Sequence, residues 1–82
     1  MEEILVLVGA TTSATRLAKR LLKYGDRRAR VIATPIALGG GGCSYSVIAS
    51  KESLDYIKNN LRGITVKGIY KKGIAGDYIA LS

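Results

Sequence analysis

The run EILVLV, residues 3 to 8, constrains the fold most because apolar side chains occupy both of its alternating positions. Leu5 and Leu7 share one face of such a strand, and apolar residues also fill the other face at Ile4, Val6 and Val8. A strand that is apolar on both faces is buried on both, so we expect it at the centre of a sheet. The chain has 82 residues and is 48% hydrophobic, which is enough for one globular domain.

The other elements follow from periodicity and from glycine and proline breakers. They are a helix over 14–24, strands over 29–34 and 43–49, a second helix over 51–62 and a fourth strand over 64–70. The order β-α-β-β-α-β predicts an α+β, ferredoxin-like sandwich, in which an antiparallel sheet carries two helices on one face. We expect one domain over 1–82, with its core over 3–72 and a tail over 73–82 that adds a short strand or lies along the sheet.

The helix boundaries and faces can also be predicted. Thr12 or Ser13 is expected to cap the first helix, with Gly25 as its end, and Ser50 is expected to cap the second. Leu22 shares the helical spacing of the apolar positions and is predicted to face the core.

The sheet face away from the helices is predicted to be apolar. The residues assigned to it are Ile4, Val6, Val8, Ile48 and Ile69. An exposed apolar face needs cover. We expect the tail or a second subunit to supply it, which favours a homo-oligomer.

Composition excludes several kinds of chemistry. The chain has one cysteine and neither histidine nor tryptophan. These counts exclude histidine-based and cysteine-cluster metal sites, as well as Ser-His-Asp and Cys-His catalytic devices. No cofactor fingerprint is present, so we expect a carrier or binding protein with no cofactor rather than an enzyme. The lone thiol and the acidic start, MEEILVLVGA, favour a cytoplasmic protein with no signal peptide and no membrane span.

The charge is strongly basic and unevenly placed. The net charge is +7, and seven of the thirteen basic residues fall between Arg16 and Arg30, where only Asp26 opposes them. Such a patch indicates an anionic partner, which is a nucleic acid, a phosphate-bearing ligand or an acidic protein.

Four glycines, Gly39–Gly42, precede the single cysteine, Cys43. In the predicted topology the third strand begins beside the end of the first, and we assign the parity of Cys43 to the helix side. The thiol is then predicted to face the N-terminus of the first helix, where free N–H groups and the helix dipole favour a thiolate. The alternative is a small buried hydrophobic residue beside a flexible loop.

Other interpretations of the same residues stay open. The glycine run lacks GxxxxGK[ST] and precedes a strand, so it is not a P-loop. Ferredoxin-like RNA-binding domains stack bases on aromatic residues of strands one and three, where this chain offers only Tyr45. Nucleic-acid binding through charge remains the main alternative function, and a regulatory or assembly module is a third.

The segment TPIALGGGGCSYSVIASKESLDYIKNNL, together with TTSATRLAKRLLKYG before it and VKGIYK after it, resembles the selenium/sulfur carrier protein-like family of small domains. Members carry a proline-led loop that ends in a cysteine, and the resemblance covers about residues 3–72. This chain departs from the pattern at Ile36, where arginine is usual, and in having glycines where serines are usual.

The resemblance implies that Cys43 accepts sulfur as a persulfide, or selenium, and passes it on. The implied partners are a protein donor, such as a cysteine desulfurase, and an acceptor protein. Backbone N–H groups of Gly41 and Gly42, with contacts from Thr12 and Ser13, are expected to bind the anionic group. Three basic residues of the first helix are expected to attract the partner: Arg16, Lys19 and Arg20.

Overall fold

The apolar run at the start of the chain forms β1 (Glu3–Gly9), the central strand of a five-stranded sheet. The computed structural model describes residues 2–40, 44–73 and 75–81. The other strands are β2 (Arg30–Ala33), β3 (Tyr45–Ser50), β4 (Gly68–Lys72) and β5 (Tyr78–Ala80). Their order is β2-β3-β1-β4-β5, and every neighbouring pair is antiparallel. The α+β class, the central position of β1 and the short tail strand are confirmed.

Two helices complete the fold, α1 (Thr11–Tyr24) and α2 (Leu54–Asn59). Short 3-10 turns at Ile36–Leu38 and Lys51–Ser53 follow β2 and precede α2. None of the helices in the described ranges is long and apolar enough to cross a membrane.

The core lies between the sheet and the two helices. Val6 pairs with Val47 and Ile4 with Ala49, so these four side chains share one face of the sheet. The buried core continues through the helices at Ala14, Leu17, Ala18, Leu21 and Ile57. The predicted helix-side parity of β3 is confirmed by Val47 and Ala49.

The prediction for the opposite face is wrong at four of its five residues. Ile4, Val6, Val8 and Ile69 belong to the buried core beneath the helices. The sequence alone did not fix the face of β1 because both of its parities are apolar, whereas the observed register joins Val6 to the helix-side residue of β3. The predicted homo-oligomer was argued from this face and stays an untested prediction.

The face away from the helices carries a mixed surface rather than an open apolar one. Leu5 is buried there, since Ile48 and Tyr70 are its neighbours on the adjacent strands. A β-carbon on Gly68 would lie 2.8 Å from the Tyr70 ring, so this glycine gives the ring room to lie over the sheet. Arg30 and Lys72 line the same face.

The helix ends differ from the expected capping. The N-cap of α1 is Ala10, and no side chain caps the helix there, so the predicted capping by Thr12 or Ser13 is wrong because the helix begins at Thr11. Gly25 ends α1 with φ 115°, as predicted. Leu22 is 51% exposed, so its predicted inward orientation is also wrong.

Asp26 accounts for the missing cap of the second helix. The predicted cap residue, Ser50, donates both its N–H and its Oγ hydrogen to the Asp26 carboxylate, each at 2.9 Å. Ser53 Oγ donates at 2.6 Å and the Arg28 N–H at 3.0 Å. The buried carboxylate thereby joins the turn after α1 to the junction between β3 and α2.

Candidate functional site

The loop that leads to Cys43 begins from a fixed stem. The Thr34 N–H donates to the Ser44 carbonyl at 2.9 Å, one step beyond the last register pair of β2 and β3, Ala33 with Tyr45. The Leu38 and Gly40 N–H groups both donate to the Pro35 carbonyl at 3.0 Å. The first half of the loop is therefore an ordered turn rather than an unconstrained glycine run.

Two glycines of the run have steric reasons to be there. Gly39 has φ 82°, a conformation that favours glycine. A β-carbon on Gly40 would collide with the carbonyl oxygen of Thr34 and would lie 2.6 Å from that of Pro35. The turn packs its own backbone so closely that only glycine fits at position 40.

Gly41, Gly42 and Cys43, the centre of the predicted site, lie outside the described residues. Their roles stay predictions. The residues on either side of this segment, Gly40 and Ser44, are described.

A cluster of hydroxyl groups includes Ser44, the residue that follows Cys43. Thr34 Oγ1 and Ser46 Oγ lie 2.7 Å apart, and Ser44 Oγ donates to Thr34 Oγ1 at 3.0 Å. Thr34 and Ser46 are buried, and they hold Ser44, the residue after Cys43, against the end of β2. Sequence reasoning missed this cluster; the alternation of Ser44 and Ser46 opposite a threonine was the available signal.

The N-terminus of α1 lies at the same end of the molecule. Gly9, the last residue of β1, pairs with Tyr45, the first residue of β3. The prediction that the third strand begins beside the end of the first is confirmed by this pair. Thr12 is exposed and Ser13 half-buried in the first turn of α1, where backbone N–H groups have no partner within the helix.

Lys67 brings a cation to this end that sequence reasoning also missed. A β-carbon on Gly9 would lie 3.1 Å from Lys67 Nζ, so the ammonium group lies against the β1–α1 turn. The Lys67 N–H donates to the Leu7 carbonyl at 2.8 Å, which fixes the lysine backbone beside β1. A cation here favours a nearby anion, including a thiolate.

The three basic residues of α1 that were predicted to attract the partner do not all lie at the N-terminal end of the helix. Arg16 is the nearest to the N-terminus, and its guanidinium lies 3.4 Å from the β-carbon position of Gly63. Arg20 Nη1 donates to the Asn60 carbonyl at 3.1 Å, so this side chain binds the C-terminal end of α2. Lys19 is exposed near the middle of the helix.

At the opposite end of the sheet, Glu3 and Asp26 form ion pairs or hydrogen bonds with neighbouring side chains and backbone groups. Glu3 contacts Arg28 at 3.3 Å and Arg30 at 3.2 Å, and the hydrogen bond from Arg30 lowers the pKa of Glu3 below its ordinary value. Burial acts to raise the pKa of Asp26, but the hydrogen bonds from Ser53 and its neighbours outweigh it and lower that pKa overall. Within residues 2–40, 44–73 and 75–81, no group of three metal-ligating side chains is present.

Comparison with known proteins bears on the family. No curated protein and no solved structure matches the chain. A family model described as "Putative Se/S carrier protein-like" matches residues 3–71, which include the β1–α1 turn, the proline-led loop and Cys43. The chain therefore belongs to the Se/S carrier protein-like family, and the resemblance seen in its sequence is confirmed.

Proposed function

We propose that the protein is a sulfur or selenium carrier that uses Cys43 as its acceptor group and that acts without a cofactor. The observation that carries the proposal is the family match over residues 3–71, because Cys43 is the only thiol in the chain. The pairing of Gly9 with Tyr45 supports it, since the segment containing Cys43 enters β3 beside the N-terminus of α1.

The proposed step is transfer of sulfane sulfur between thiols. The Cys43 thiolate attacks the outer sulfur of a donor persulfide and forms a new S–S bond. The donor S–S bond breaks, and its electron pair leaves with the donor thiolate, so no external oxidant or reductant is needed. An acceptor thiolate then attacks the outer sulfur on Cys43 in the same way, which regenerates the carrier rather than turning over a substrate.

The surroundings favour this chemistry at neutral pH. The unpartnered N–H groups at the start of α1, near Thr12 and Ser13, and the Lys67 ammonium all stabilise negative charge. Gly41 and Gly42 are proposed to add backbone N–H donors. Arg16 is the α1 cation nearest this end and is proposed to attract the donor protein, whereas the Arg20 guanidinium lies at the C-terminal end of α2.

We propose that the order β2-β3-β1-β4 is a ferredoxin-like arrangement, to which β5 adds an edge strand. A cytoplasmic setting suits a chain whose single thiol must stay reduced between donor and acceptor.

The test is persulfide loading by a cysteine desulfurase in the presence of cysteine, followed by intact-mass measurement. We expect the wild-type chain to gain the mass of one sulfur atom, which dithiothreitol removes, and the Cys43→Ser variant to gain none. A wild-type chain that stays unmodified while the desulfurase turns over would reject this donor chemistry. Loading that persists in Cys43→Ser would reject the assigned residue.

A further inference from the structure

A stacked pair of tyrosines, of which Tyr24 is exposed and Tyr56 half-buried, lies at the far end of α1 from the candidate site. The ring centroids of Tyr24 and Tyr56 are 4.1 Å apart, and the ring planes differ by 23°. Tyr56 covers one face of the Tyr24 ring, yet Tyr24 is 56% exposed. Tyr24 ends α1, so by helix rise it is roughly 20 Å from Thr11, at the other end of the helix.

Shallow grooves that contain arginines flank the two rings. Tyr56 lines a groove of about 550 Å³ together with Arg20 and Arg62 and two asparagine side chains. Tyr24 lines a second groove, also of about 550 Å³, together with Arg27 and Arg28. Because the rings stack on each other, the aromatic pair joins the two grooves into one track with arginines on both sides.

The arginine beside Tyr56 is already ordered. Arg20 donates to the carbonyl of Asn60 at 3.1 Å, and its own carbonyl lies 3.5 Å from Tyr56 Oη. A guanidinium group held in place loses less side-chain entropy when it binds a ligand.

Carboxylates lie beside the arginines of the second groove, whereas the described lining of the first groove contains none. Asp26 lines the second groove, but its oxygens accept four hydrogen bonds from the fold. Glu2 is paired with Lys51, and Glu3 is paired with Arg30 and with Arg28 of the second groove, so Arg27 is the arginine of that groove without a carboxylate partner among the described residues. Glu52 lines the second groove and Asp55 lies on α2, and both side chains are exposed.

We propose that this track, Arg20–Arg62–Tyr56–Tyr24–Arg27, binds single-stranded nucleic acid. Arginines contact the phosphates, and the exposed face of Tyr24 stacks against a base. Charge alone would suit an acidic protein equally well, but an exposed aromatic ring between two arginine-lined grooves favours a ligand that combines phosphates with flat bases. For the alternative of nucleic-acid binding, the sequence offered only Tyr45 on strands one and three; the structure exposes Tyr24 at the end of α1 instead.

The test is fluorescence anisotropy of a labelled ten-nucleotide single-stranded RNA of mixed sequence, titrated with the full chain at several salt concentrations. We expect Tyr24→Ala to weaken binding about tenfold, which is the order expected for loss of one stacked base, and Tyr24→Phe to bind like the wild type. Arg62→Ala should weaken binding and lower the slope of log affinity against log salt by about one. Lys72→Ala, an equal loss of charge on the other side of the sheet, is the matched control and should retain the wild-type affinity.

Further arms separate the sources of binding. Cys43→Ala should bind RNA as the wild type does, because the track does not need the thiol; this outcome is independent of sulfur loading. A polyglutamate peptide of equal charge should bind much more weakly than RNA. If the peptide binds as tightly and Tyr24→Ala has no effect on either ligand, the surface is a protein docking site and the proposal is overturned. Equal losses in Lys72→Ala and Arg62→Ala would also overturn it, since they indicate diffuse charge attraction.

Discussion

Replacement of Asp26 by alanine tests how the two halves of the fold are joined. The carboxylate accepts four hydrogen bonds, from Arg28 N–H, Ser50 N–H, Ser50 Oγ and Ser53 Oγ, at 2.6 to 3.0 Å. In Asp26→Ala the Ser53 hydroxyl, which is 2% exposed, and the half-buried Ser50 N–H lose their acceptor. An unpaired buried donor costs about 1–3 kcal/mol, so we expect a loss of roughly 2–5 kcal/mol in the free energy of unfolding.

This loss is large for the size of the protein. Domains are stable by about 5–15 kcal/mol, and each kcal/mol corresponds to about 4–8 °C in Tm for a domain of 60–100 residues. Urea unfolding followed by circular dichroism measures it. Asp55→Ala removes an exposed carboxylate from α2 and should stay within about 0.5 kcal/mol of the wild type. If Asp26→Ala were as stable as Asp55→Ala, the hydrogen bonds of Asp26 would not stabilise the contact between the turn after α1 and the junction of β3 with α2.

The same residue predicts a pH dependence. The pKa of Asp26 is lower in the folded chain than its ordinary value of 3.8, so folding favours the charged form. Its contribution to stability is present above that ordinary value and is lost as the pH falls through the folded pKa. We expect the stability gap between the wild type and Asp26→Asn to stay constant well above pH 3.8 and to narrow as the pH falls below that value. A gap that widens in acid would contradict the assigned direction.

Three further exchanges have expected outcomes. Gly40→Ala should destabilise the chain more than Gly39→Ala, because only the first places a β-carbon against backbone carbonyls. The backbone strain in Gly39→Ala costs about 1 kcal/mol. Urea midpoints measure the difference, and equal midpoints would contradict the steric argument. Leu17→Ala should cost about 2–5 kcal/mol and Leu22→Ala under about 1 kcal/mol, since the first is fully buried and the second half exposed; similar losses would contradict the assigned helix face. Lys67→Ala should slow alkylation of the single thiol at neutral pH without changing Tm, and an unchanged rate would remove Lys67 from the site.

The order of helices and strands along the chain was predictable from sequence because each element had its own local signal. The run EILVLV, which is apolar on both faces, predicted that β1 is a central strand. Gly25 and Pro35 marked where α1 and β2 end. The orientation of β1 was not predictable, since its two faces are almost equally apolar. Only the pairing of Val6 with Val47, residues 41 positions apart, decides which face meets the helices.

The capping errors have a similar origin. Ser50 stands where a helix cap is expected, but its hydroxyl binds a carboxylate 24 positions earlier in the chain. The hydroxyl cluster of Thr34, Ser44 and Ser46 likewise depends on strand pairing, as does the approach of Lys67 to Gly9. Local patterns identify elements, whereas side-chain partners across the fold follow from register.

The central claim is that Cys43 takes up a sulfur atom and hands it on. The most direct test loads the chain from isotopically labelled cysteine with a desulfurase, removes the donor, and then adds a thiol acceptor while label on the chain and on the acceptor is followed by mass spectrometry. We expect one label per chain to leave Cys43 and to appear as a persulfide on the acceptor. Label that never enters the chain, or that stays on Cys43 when the acceptor is added, would contradict it.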